Sequence, residues 1–118
     1  MIEDYGHIID YVKETVSRRI LKQSAFEPND KITRKDLKKV VKVFLKKFSK
    51  IEPDIIEYKV VCDETINTPE TIDRHELHMN VFLKFPYDEK DDPIERRSFI
   101  QLSIVISGTE VLIMEILC

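Results

Sequence analysis

Glycine is nearly missing from this chain, with two in 118 residues. That scarcity argues against glycine-rich loops that cradle phosphates and against tight turns built on left-handed glycines. No apolar run approaches the roughly 20 residues that a membrane-spanning helix requires. The opening Met1-Ile2-Glu3-Asp4 is acidic, where a secretory leader is basic and then apolar. Assembly in the cytosol is therefore the expectation. Cysteine is confined to Cys62, inside a strand-like pattern, and Cys118. Two cysteines make no disulfide framework, and both are expected to be reduced and structural. Catalytic signatures are absent too: the sequence has no Gly-x-Ser-x-Gly, no Walker loop and no His-Glu-x-x-His. Acid pairs such as Asp63/Glu64 and Asp91/Asp92 read as solvated or capping carboxylates. His75 and His78 stand three apart in a strand-like stretch, where such positions point to opposite sides, whereas a metal needs converging ligands. No enzymatic activity, cofactor or metal is expected.

What is present fits one globular domain over residues 1–118, with 42% apolar and 35% charged residues. The net charge of −3 conceals an asymmetry. Residues 31–50 hold nine Lys/Arg and the single acid Asp36, a net +8, while the remaining residues hold ten basic and 21 acidic side chains, a net −11. Opposite charge on two parts of a small protein suits a subunit whose basic face meets a neighbour's acidic one. It also suits a nucleic-acid binder.

Hydrophobic periodicity predicts two helices and four strands. Ile8, Ile9, Val12, Val16 and Ile20 mark a helix over His7–Gln23, with Asp4 near its N-cap and a stop before Phe26-Glu27-Pro28. Thr33 is the expected N-cap of a second helix. Leu37, Val40, Val41, Phe44, Leu45 and Phe48 form its apolar stripe to about Ser49, before Pro53. A half-buried strand follows over Ile55–Cys62, with Ile56, Tyr58, Val60 and Cys62 on one face. After a polar turn, Leu77, Met79, Val81, Leu83 and Phe85 repeat the alternation, and a long-loop antiparallel pair is expected. Residues 87–93 read as a charged exposed loop, 95–107 as a third strand, Gly108-Thr109 as a turn and Glu110–Leu117 as the last strand. The expected fold is α+β, two helices packed on a mainly antiparallel sheet of about four strands.

The turn after Cys62 is the most distinctive stretch. Asn67, Thr68 and Asp73 have short polar side chains suited to bonding backbone within an ordered, non-regular connection. Read as Val-Cys-Asp-Glu-Thr-x-Asn-Thr-Pro-Glu-x-Ile-Asp-Arg-x-Glu, residues 61–76 resemble the C-terminal domain of contractile phage tail sheath proteins. The resemblance continues, in order, through Phe26-Glu27-Pro28-Asn29-Asp30-Lys31-x-Thr33-Arg34, Glu57–Asp63, Val81–Lys84, Phe99–Leu102 and Ser107-Gly108-Thr109, covering roughly residues 8–110. Sheath proteins are several times longer, and they move more directly from the second strand to the third, where this chain inserts the charged loop 87–95.

The resemblance implies a structural protein of a contractile tail or related injection machine, located in the virion. Its short length implies a sheath-like end piece, with a baseplate sheath initiator favoured and a neck or tail-terminator protein as the alternative. The implied partners are tail sheath subunits and copies of itself in a six-fold ring, with tube or baseplate proteins also in reach and no membrane. Two partner-binding surfaces follow. Lys38, Lys39, Lys42 and Lys46 form a basic helix face, either solvated, protein-contacting or bound to DNA. Nucleic acid is the least favoured of the three, because Phe44 and Phe48 belong to the apolar stripe and are not placed for base stacking. The last strand, with Val111, Leu112, Ile113, Met114 and Ile116, is apolar on both faces. Such a strand is either central in its sheet, covered, or paired with another chain. Sheath subunits link through exchanged terminal arms, and the resemblance gives the strand that role.

Overall fold

The computed structural model describes residues 5–23, 29–86 and 100–117. The elements run α1 (Gly6–Gln23), α2 (Lys31–Ile51), β1 (Glu57–Val61), α3 (Pro69–Asp73), β2 (Glu76–Lys84), β3 (Ile100–Ser107) and β4 (Glu110–Leu117). The architecture is α+β: helices packed on a four-stranded antiparallel meander of spatial order β1-β2-β3-β4. The expected N-cap at Asp4, the helix stop at 24–28, the charged loop at 87–95 and the start of the third strand lie outside the described residues.

The sheet has two chemically distinct faces because side chains alternate along each strand. Val60, Leu77, Met79, Val81, Leu83, Leu102, Ile104 and Ile106 point to the helices and are buried. They meet Ile8, Ile9, Val12, Val16 and Ile20 of α1 and Leu37, Val41, Phe44 and Leu45 of α2 in one core. Fully burying each such aliphatic side chain contributes about 1.5–3 kcal/mol. The register carries the rows across the sheet: Val60 faces Val81, Val81 faces Leu102, and Leu102 faces Glu115. That last row ends on a charge at the sheet edge, where Glu115 Oε1 accepts from Lys13 Nζ of α1 at 3.0 Å.

Three boundaries differ from the sequence reading. Helix α2 is capped by Asp30, whose carboxylate accepts from Thr33 N at 2.8 Å, so Thr33 is inside the first turn. At the other end α2 runs to Ile51, with Glu52 N closing on Phe48 O at 2.8 Å. Strand β1 begins at Glu57, and Ile56 lies outside it, 56% exposed, while Ile55 takes the buried position. A fourth difference is a short helix, α3, inside the connection read as irregular. Thr68 caps it and Pro69 opens it, a pairing that starts helices because Pro lacks the N–H that the first turn leaves unused.

Candidate assembly surfaces

The polar turn is a built structure. Asn67 is buried, and its amide uses both ends. Nδ2 donates to Asp63 O and His78 O, each at 2.9 Å, and Oδ1 accepts from His78 N at 2.8 Å and Asn29 Nδ2 at 3.2 Å. Asn29 donates also to Glu76 O at 2.9 Å, while Arg34 donates to Asn29 Oδ1 at 2.8 Å and Asn29 O at 3.1 Å. The start of α2, the turn and the start of β2 are thus held by one network. The Asn29 segment and the Asn67 segment lie 38 residues apart in sequence, and both belong to the wording that carries the resemblance. Sequence reading missed that they meet. Thr68 behaves as expected, its Oγ1 accepting from Thr71 N at 3.4 Å. Asp73 does not: it is exposed, and no hydrogen bond of its carboxylate is found among the described residues. His75 follows α3 in the left-handed region at φ 57°, closing the helix where glycine commonly stands. His78 Nε2 lies 3.1 Å from Glu76 Oε1.

The electrostatics of this region follow from short-range bonds. Hydrogen bonds from the Thr65 hydroxyl and then its N–H hold the Asp63 carboxyl below its ordinary value of 3.8. The Thr33 N–H, then its hydroxyl, does the same at Asp30, and His78 followed by Arg74 lowers Glu76. Each folded-state value lies below the unfolded one. The stabilisation is therefore complete above the ordinary carboxylate range and disappears as pH falls through the depressed values. The melting temperature should hold steady down to about pH 5 and decline below about pH 4. Replacing Asp30 and Asp63 together with asparagine should flatten that acid limb in a thermal melt series. An unchanged limb would remove these two carboxylates from the account. Cys62 is buried beside the turn, and burial pushes its thiol up to about 12. It stays protonated and inert near neutrality.

The basic face is placed over an edge of the sheet. Lys35, Lys38, Lys39, Lys42 and Lys46 line an open groove of ≈ 640 Å³ together with Asp36, Val43 and Tyr58. The groove runs between α2 and β1, so the lysines flank an edge strand. Lys38 is half-buried, and Lys39, Lys42 and Lys46 are exposed.

The last strand is the opposite edge. It pairs with β3 alone among the described residues, so it is an edge strand there, with its inner face on the core and its outer face exposed. Its side chains split by parity. Val111 and Ile113 pack against the core, half-buried, while Leu112 and Met114 are 64% and 65% exposed on the far face, followed by Ile116. The Gly108-Thr109 turn joins Ser107 to Glu110, with Gly108 at φ 61°. A two-residue hairpin with glycine first is the type II′ geometry, which closes on a pair that exchanges both backbone bonds. Bonded pairs then alternate. The N–H and C=O groups of Val111, Ile113 and Glu115 consequently point away from β3, toward the open edge.

No helix among the described residues is long and apolar enough to cross a membrane, and no group of three or more potential metal ligands occurs among them. No protein-family model matches the chain, and no solved structure gives a significant match. The tail sheath protein of Vibrio phage KVP40 is 30% identical over 89 residues. This chain resembles part of a tail sheath protein. The similarity takes in 75% of the chain and 12% of the sheath protein, so the chain spans about an eighth of the length of the relative it matches.

Proposed function

We propose that the chain is a non-enzymatic structural component of a contractile tail, a unit like the sheath C-terminal domain that serves as a baseplate sheath initiator. The similarity to a sheath protein across 75% of the chain carries this reading. The geometry supports it: both sheet edges are open among the described residues, and one of them is apolar. An end piece with open edges can add strands from the first sheath subunits, which transmits tension through backbone hydrogen bonds. In a cryo-EM map of intact particles, the chain is expected beside the first sheath disc at the baseplate. Density at the neck would replace the initiator with a terminator, and absence from the particle would overturn the tail reading.

DNA binding is the reading that the exposed lysine row favours in its place. The triple change Lys38→Glu, Lys42→Glu, Lys46→Glu should leave the melting temperature within a few degrees of wild type, since Lys42 and Lys46 are exposed, the half-buried Lys38 has no salt bridge among the described residues, and such surface charges contribute little to folding. It should weaken co-assembly with tail components, and the wild-type chain should not retain duplex DNA at physiological salt. Tight duplex binding with a steep salt slope, lost in the triple variant, would establish the rival.

A further inference from the structure

The two open edges of the sheet carry opposite charge. At the β1 edge, Lys35, Lys39, Lys42 and Lys46 follow one another at helical spacing along α2 and line its groove. At the β4 edge a second open groove, ≈ 350 Å³, lies between α1 and the strand, lined by Asp10, Lys13, Glu14, Ser17, Val111 and Ile113. Among the described residues its one cation, Lys13, is paired with Glu115. Asp10 and Glu14 stand four residues apart on one face of α1, both exposed. Among the described residues, one groove is thus lined mainly by lysines, with Asp36 the one acid beside them, and the other by the carboxylates of Asp10 and Glu14 beside the paired Lys13.

We infer that copies of this chain associate head to tail, the β4 edge of one molecule pairing with the β1 edge of the next. The inference rests on the reading of β4 as a pairing edge and names a second copy as its partner. Three features fit together. The outward backbone groups of Val111, Ile113 and Glu115 need a strand, and β1 presents an open edge among the described residues. Both helices lie on one face of the sheet, α1 toward β4 and α2 toward β1. Edge pairing therefore brings α1 of one copy beside α2 of the next, and Asp10 and Glu14 opposite the lysine row. Like edges cannot join as well: β1 on β1 sets lysine row against lysine row, and β4 on β4 sets carboxylate against carboxylate. The contact is heterologous, with different patches on the two molecules, and it leaves one edge of each kind open for growth or closure.

Cross-linking reads the polarity directly. In full-length protein carrying Cys118→Ser, Lys42→Cys and Glu14→Cys variants are prepared separately, mixed and oxidised. Head-to-tail pairing gives mixed dimers in clear excess over either homodimer. By sedimentation equilibrium, the wild-type chain alone should self-associate. Asp10→Lys with Glu14→Lys should weaken that association about tenfold, and mixing this variant with Lys39→Glu, Lys42→Glu should restore it. Homodimers in place of mixed dimers would overturn the inference, as would a wild-type chain that stays monomeric at several hundred micromolar. Duplex DNA occupying the lysine row in place of self-association would overturn it too. If the monomeric chain still joins sheath subunits through β4, the head-to-tail contact alone fails and the sheath-linked reading stands.

Discussion

Replacing Asn67 with alanine should lower the unfolding free energy by about 3 kcal/mol, because the change strands several backbone groups at once and each buried unpaired group costs about 1–3 kcal/mol. The amide serves Asp63 O, His78 O and His78 N and accepts from Asn29. For a domain of this size the melting temperature should fall by roughly 10–15 °C. Asn67→Asp should recover none of the loss near neutrality, since its second carboxylate oxygen would face the Asp63 and His78 carbonyls where the amide donated. Asn29→Ala should also destabilise, but the double variant should cost less than the two singles summed, because they share one bond. Asp73→Ala sets the scale at the other end: an exposed carboxylate with no bond found should change stability by less than about 0.5 kcal/mol. Equal melts for Asn67→Ala and wild type would show that water replaces the amide and that the turn is not a clamp.

This contrast shows how far the sequence could be read. Periodicity located α1, α2 and the strands because burial in a single core enforces it: Leu77, Met79, Val81 and Leu83 alternate, and all four are buried. Composition placed Asn67 and Asp73 in one polar turn and assigned both the same role. Their difference depends on where the turn lies against the sheet, a property of tertiary packing. Asn67 faces the backbone of His78, and Asp73 faces outward. The Thr68-Pro69 start of α3 was legible from local chemistry and was overlooked because the helix has only five residues. Asp30, not Thr33, caps α2 for a related reason. Either residue can accept from an N–H, and the choice depends on where the chain arrives from Asn29, which is pinned by Arg34 and Asn67. The lysine spacing was plain, but the groove it borders was not, since only folding places β1 beneath α2.

The β4 edge was legible only as an ambiguity. Apolar side chains at both parities from Val111 to Ile116 suit a central strand as well as an exposed one. The meander order decides it, leaving Leu112 and Met114 exposed on an edge strand. The size of that exposed surface alone names no partner. What singles out the edge is its combination of apolar side chains with outward backbone groups.

Proline at position 113 should abolish incorporation into tails while leaving the isolated chain folded. Ile113 faces Ile104 across the sheet, and in a ladder closed by the two-residue Gly108-Thr109 turn this is a pair that exchanges no backbone bonds. Ile113→Pro therefore removes a donor from the open edge and none from the β3–β4 ladder. Edge strands tolerate proline where the lost N–H faces solvent, so the cost to the free chain is confined to packing lost at a half-buried site. Leu112→Pro is the matched control. It removes a donor within the ladder, and its loss should show in the melt of the isolated chain, in contrast to Ile113→Pro. The readout is the amount of each variant in purified particles, alongside the melting temperature of each free protein. Wild-type incorporation of Ile113→Pro would mean that no neighbouring strand uses the N–H at position 113. The partner would then grip this end through the exposed side chains of Leu112 and Met114, and charged residues at those two positions would become the disruptive change.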